Sequence, residues 1–132
     1  MARLGLKDAF ARYGATLVNV QWSVSAWVPD GSLVVSLWAH HSRPGPNRTL
    51  EFADRLSRWS GPGNAEFRRN VERAHREQTD VRLVIARTEE VGHVEGGHDA
   101  SKVKKEFVVR DDVIGKVVDF DGENYVYRFE KC

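Results

Sequence analysis

The chain has 132 residues, of which 41% are hydrophobic, and this length and composition predict one globular domain spanning residues 1–132. Its single cysteine, Cys132, excludes an intramolecular disulfide and a cysteine-based metal site, and the lack of a signal-peptide pattern or of about 20 consecutive apolar residues predicts a cytoplasmic protein outside the membrane. The net charge of +1 excludes neither a nucleic acid nor an acidic partner, because 20 basic and 19 acidic residues can still form a local basic surface.

The N-terminal part of the chain predicts a short amphipathic helix followed by a long β-hairpin. Apolar residues at helical spacing between 5 and 13 indicate the helix. Residues 15–40 then alternate between apolar and polar side chains on both sides of the turn signal at 29–32, which is typical of two paired strands. We expect Val28 to pair with Leu33 across this turn.

This register places two tryptophans, Trp27 and Trp38, on one face of the hairpin above a floor of serines. One interpretation is that helices cover this face and both indoles belong to the core, as large aromatic side chains usually do. The other is that the face is open and stacks nucleobases, which contributes about 1–3 kcal/mol per base. His40 falls on the same face and could donate a hydrogen bond to a ligand.

The segment after the hairpin predicts a basic loop and then two helices. Two prolines and a glycine keep residues 40–48 irregular, and Arg43 and Arg48 lie in this loop with no acidic residue between them. Helical spacing of apolar side chains predicts a helix over 49–59 and a second, mostly solvent-facing one over 65–78.

The C-terminal half predicts strands. The apolar run of 80–87 indicates a central strand, 88–105 a long loop, and 106–110 a short strand. Residues 114–120 should pair with 123–130 through the Asp-Gly turn between them. This order predicts an α+β fold with a mixed or mainly antiparallel sheet of about five to six strands and two or three helices.

Basic side chains and the serine and tryptophan face together favour a surface that binds nucleic acid, because arginines contact phosphate and aromatic rings stack bases. Interleaved glutamates on the second long helix leave a merely solvated face as the alternative for its arginines. The predicted nucleic-acid-binding residues are Ser25, Trp27, Ser36, Trp38, His40, Arg43, Arg48, Arg69 and Arg73.

Catalysis has no positive support, because the chain lacks a Gly-x-Ser-x-Gly elbow, a Walker loop, a dinucleotide fingerprint and an HNH-like motif. We predict no catalytic residue, cofactor or metal site. The loop with His93, Glu95 and His98 could supply two imidazoles and a carboxylate to a divalent ion, but its spacing matches no established signature, and a flexible polar loop is the plain explanation.

A pattern of four separate stretches extends through most of the chain. It consists of Trp22-Ser23, the stretch 30–38, Gly61-Pro62-Gly63-Asn64 and the stretch 81–86. This pattern resembles a family of small bacterial proteins with the same order of strand, loop, helix and strand. The stretch from Leu33 to about Leu56 is also similar to the N-terminal reader domains of McrA-type restriction endonucleases, which recognise modified cytosine in DNA. Since the HNH nuclease half is missing, that similarity implies a free-standing reader or accessory protein.

The leading hypothesis is therefore a small non-catalytic protein that binds DNA or RNA, with a modified-DNA reader or restriction-associated role as its finer form. The first alternative is a protein-interaction or small-molecule-binding module that uses the same tryptophan face. The second is a metal-dependent enzyme. Oligomeric state is not predicted.

Overall fold

The computed structural model describes residues 5–19, 23–58, 61–89, 91–92 and 105–131. Within these residues the chain forms two α-helices and seven strands, which confirms the α+β class with more strands than predicted. The elements are α1 (Leu6–Ala11), β1 (Ser25–Trp27), β2 (Leu33–Trp38), β3 (Ser42–Pro44), β4 (Leu50–Arg55), α2 (Pro62–Glu77), β5 (Val81–Arg87), β6 (Glu106–Phe120) and β7 (Asn124–Lys131). Neither described helix is long and apolar enough to cross a membrane.

One mixed sheet contains all seven strands in the order β1-β2-β5-β6-β7-β4-β3. β2 and β5 run parallel, and every other neighbouring pair is antiparallel. β6 is long enough to pair with β5 through its first residues and with β7 through its last. The predicted central place of β5 and the predicted β6–β7 hairpin are confirmed.

The sheet curls strongly, because β2 and β3 are far apart in strand order but close in sequence. Five strand spacings separate them, which is about 24 Å in a flat sheet. A 3₁₀ turn of three residues, Ala39–His41, joins the two strands. Four residue steps reach about 14 Å at most. The connection is therefore possible only if the two ends of the sheet approach one another.

The concave face of the curled sheet holds the main core and α2. The apolar stripe predicted for this helix is confirmed, since Phe67, Val71 and Ala74 are all buried against the strands. The same cluster contains Leu37 of β2 and Phe52 of β4, which come from opposite ends of the sheet. α2 thus fills the hollow that the curl creates.

The convex face is covered over only part of its area by the described elements. Phe10 and Ala9 of α1 pack on Val34 and Val84 and close the part formed by β1, β2 and β5. No described helix covers the part formed by the second half of β6 and by β7, β4 and β3. We call this part the open face.

The helix predicted over 49–59 is wrong, because Leu50–Arg55 is strand β4 and only Leu56–Arg58 forms a 3₁₀ turn. The segment carries a period-2 pattern as well as a helical one: Phe52 lies in the core and Glu51 on the opposite face. Six residue pairs with β7 decide between the two patterns, since tertiary pairing outweighs weak helical propensity.

Candidate nucleic-acid interface

The two tryptophans of the hairpin lie on opposite faces of the sheet, so the predicted shared face is wrong. Trp27, not Val28, pairs with Leu33. Val28 instead belongs to the loop, where its N–H donates to Ser32 O at 2.8 Å. A shift of one residue in register moves every side chain of one strand to the other face. A partner that contacts Trp27 and Trp38 together, the premise of the first alternative, is excluded by this arrangement.

Trp27 is part of the packing between the sheet and α2. Its indole Nε1 donates to Asn70 Oδ1 at 2.9 Å, and Asn70 Nδ2 donates to Ser25 Oγ at 2.8 Å. The guanidinium of Arg73 lies 4.2 Å from the centre of the indole ring and also pairs with Glu77 at 3.0 Å. Ser25 is fully buried. These contacts give Trp27, Ser25 and Arg73 a role in the packing between the sheet and α2.

Trp38 and Ser36 lie half-buried on the convex face near the end of β2. The Trp38 and His40 rings have centroids 5.8 Å apart, and His40 meets His41 edge to face at 4.4 Å. His41 Nδ1 in turn lies 3.4 Å from Asp54 Oδ2 of β4. This chain of contacts joins β2 to β4 across the curl, so His40 has a packing role.

Arg43 of β3 and Arg128 of β7 share one buried carboxylate on the open face. Arg43 Nε lies 3.0 Å from Glu51 Oε1, and Arg128 Nε and Nη2 each lie 2.7 Å from Glu51 Oε2. The hydrogen bond from Arg128 is the main cause that lowers the pKa of Glu51, with Arg43 adding to it against the opposing effect of burial. Glu51 therefore stays ionised and holds both guanidinium groups in place.

Lys116 of β6 adds a third cation directly beside Arg128, its partner in the β6–β7 pairing. Lys116 Nζ donates to Gln78 O at 2.6 Å and to Asp80 Oδ1 at 3.1 Å. We call Arg43, Arg128 and Lys116 the cation row. A shallow groove of about 200 Å³ opens beside its Lys116 end, lined by Thr49, Asp80, Ile114, Gly115, Lys116, Val118, Arg128 and Glu130.

Arg48 stands at the tip of the β3–β4 turn and precedes Thr49, which lines this groove. Asn47 and Arg48 have φ angles of 54° and 64°, and Thr49 N donates to Pro46 O at 3.1 Å, so the turn is of type I′. An arginine in the left-handed region is unusual, because its Cβ costs about 1–2 kcal/mol there. The side chain is exposed, and no described carboxylate pairs with it.

Of the predicted site residues, Arg43 and Arg48 lie on the same β3–β4 hairpin, and Trp38 and His40 contact one another. Arg69 is exposed on α2, on the concave side of the sheet, away from the cation row. Sequence reasoning missed Glu51, Lys116 and Arg128. The signal for Arg128 was present in the alternation of β7, which places rings on one face and polar groups on the other, but nothing in the sequence showed which strands lie beside it.

The residues of the metal hypothesis, His93, Glu95 and His98, lie outside the described residues, as do Trp22 and Trp59. In the part of the chain that is described, no three histidine or carboxylate side chains come together so that they could hold a metal ion.

Comparison of the chain with protein-family models, with curated proteins and with solved structures finds no match.

Proposed function

We propose that this protein is a non-catalytic nucleic-acid-binding protein that contacts backbone phosphates through the cation row and Arg48. The observation that carries the proposal is the row itself. Three basic side chains from β6, β7 and β3 lie across a face that no described helix covers, with Glu51 of β4 between the last two. A fourth, Arg48, extends from the β3–β4 turn.

The electrostatics of the open face support phosphate contacts. Glu51 and Asp80 fix the orientation of the cations they pair with and neutralise part of their charge. Arg48 has no such partner among the described residues, so it contributes a full charge to the surface. Arginines held in a fixed orientation can form two parallel hydrogen bonds to a phosphate group.

β7, the strand at the centre of the open face, presents no aromatic ring there on which a base could stack. Tyr125, Tyr127 and Phe129, the rings of β7, all point into the concave core. Binding by phosphate contacts alone carries no direct information on sequence. We therefore expect similar affinity for different sequences, with phosphate contacts rather than base stacking as the source of affinity.

The finer form of the proposal, a modified-DNA reader, rests on the resemblance to McrA-type reader domains. It requires a base pocket beyond the cation row, so duplexes with and without 5-methylcytosine belong among the probes. A clear preference for the methylated duplex would support the reader role, and equal binding would leave only the phosphate contacts.

The test is fluorescence anisotropy with labelled 20-nucleotide DNA and RNA, single-stranded and duplex, at several salt concentrations. Four phosphate contacts predict a slope of about −3 to −4 in a plot of log affinity against log salt for duplex DNA. The variant Arg48→Ala should lower affinity for all sequences alike. The matched control is Arg76→Ala, which removes one exposed cation from α2 instead. Absence of salt-dependent binding to any probe would refute the proposal.

A further inference from the structure

The cation row places two like charges directly opposite one another. Lys116 and Arg128 are cross-strand partners on β6 and β7 and share the open face. Like charges directly opposite one another in a sheet are unfavourable. Other contacts must therefore offset the repulsion between Lys116 and Arg128, or the pair is kept for a function.

Each of the two cations is held from its outer side. Asp80 stands just before β5, on one side of β6, and binds Lys116. Glu51 stands on β4, on the far side of β7, and binds Arg128. The two carboxylates thus hold the cations from opposite sides along the strand order, and Glu130 of β7 is a further carboxylate in the groove that both cations line.

Lys116 and Arg128 both line the groove described above, and each has N–H donors left for a ligand. A guanidinium has five N–H donors, and a lysine ammonium has three. Arg128 uses Nε and Nη2 on Glu51, and its Nη1 donates to no described residue. Lys116 uses two of its donors on Gln78 and Asp80. Both side chains are also partly exposed, at 45% for Lys116 and 38% for Arg128.

We infer that this groove binds one phosphodiester group of the nucleic acid, with one free oxygen accepting from Lys116 and the other from Arg128. Glu51 and Asp80 are positioning residues, which hold the two cations at a fixed separation. The inference rests on the proposed function and states which group of the ligand this part of the face contacts.

The charge of the groove selects a phosphodiester over a phosphomonoester. Asp80 and Glu130 line the groove together with the two cations, so its charges nearly balance. A phosphodiester carries one negative charge, whereas a phosphomonoester carries about 1.5 to 2 at neutral pH and is repelled more strongly by both carboxylates. A backbone phosphate is therefore the better fit than a terminal or free one.

A positioning role for Glu51 and simple charge neutralisation predict opposite changes in the affinity of the variant Glu51→Gln for nucleic acid. Glu51→Gln removes a negative charge from the face, which by itself would strengthen the attraction for a polyanion. If Glu51 holds Arg128 for the phosphate, the same variant loses that orientation and binds more weakly. The direction of the change thus separates the two roles.

The experiment compares a labelled 12-unit abasic deoxyribose-phosphate oligomer with a mixed-sequence single strand of equal length. We expect the wild-type protein to bind both with similar affinity, since only the backbone is contacted. Lys116→Met should weaken both about tenfold and make the salt slope shallower by about 0.7, the value for one lost contact on a single strand. Glu51→Gln should weaken both at least threefold, and Arg76→Met should change neither.

Folding of each variant is checked by near-ultraviolet circular dichroism, and Arg128→Lys provides a second variant that keeps the charge but loses the fork. We expect Arg128→Lys to bind more weakly than the wild type. Unchanged binding by Lys116→Met, or tighter binding by Glu51→Gln, would overturn the phosphodiester site while leaving nucleic-acid binding intact. Failure of the wild type to bind either oligomer in a salt-dependent way would overturn the proposed function together with the site.

Discussion

Arg48→Gly should make the protein more stable and a weaker binder at the same time. The native φ of 64° at this position costs a residue with a Cβ about 1–2 kcal/mol, and glycine avoids that cost. Glycine loses about 0.5–1 kcal/mol through the greater freedom of its unfolded chain. The difference is a gain of about 0.5–1 kcal/mol in the free energy of unfolding. The new dipeptide, Asn47 followed by glycine, is also the preferred sequence for a type I′ turn.

Arg48→Ala is the control that separates backbone strain from charge. It removes the guanidinium but keeps the Cβ, so its stability should stay near that of the wild type while its affinity for nucleic acid falls as far as that of Arg48→Gly. For a chain of this length the predicted stabilisation of the glycine variant corresponds to a rise in Tm of about 2–4 °C. Differential scanning calorimetry and urea unfolding measure it. A glycine variant less stable than the alanine variant would refute the reasoning about strain.

Three further changes test the assignment of polar groups in the fold. Asn70→Ala should destabilise the protein by about 1–3 kcal/mol without reducing binding, because the half-buried Trp27 and the buried Ser25 lose their partner. Urea unfolding that shows no loss of stability would contradict this packing role. Tyr127→Phe should leave the stability unchanged or raise it by up to about 1 kcal/mol, since the buried hydroxyl has no hydrogen-bond partner among the described residues. A large fall in Tm would show that the hydroxyl does have a partner. Glu51 has a lowered pKa in the folded state, so the stability that its ionised form contributes is present above its unfolded pKa of about 4.3 and is lost as pH falls through the folded pKa. The difference in free energy of unfolding between the wild type and Glu51→Gln should therefore become smaller below about pH 4. A difference that stays constant with pH would contradict the ion pair.

Local patterns in the sequence predicted the elements whose partners are near in sequence or whose periodicity is strong. The stripe of Phe67, Val71 and Ala74 marked α2, and the Asp121-Gly122 dipeptide marked the β6–β7 hairpin, where Gly122 adopts a φ of 97°. These features depend on a few neighbouring residues, so the sequence alone contains enough information to locate them.

The candidate site depended on information that no local pattern contains. The loop of the first hairpin is one residue longer than expected because Val28 donates back to Ser32, and this single residue placed Trp27 under α2 rather than beside Trp38. The partners Glu51 and Arg128 are 77 residues apart and meet only because β4 and β7 are neighbours. Strand order therefore had to be known before the cation row could be recognised.

The strand order also constrains how the protein can fold. β1 with β2 and β3 with β4 form the two edges of the sheet, and both precede residue 60, whereas the strands that join them, β5, β6 and β7, begin at Val81. During synthesis the first half of the chain can form separate hairpins but no continuous sheet, because the edge of β3 and β4 is joined to the rest only when β7 emerges. Such late, long-range pairing slows folding and exposes intermediates to aggregation. We expect loss of β7 to release β4 and β3 from the sheet, which would remove the cation row altogether.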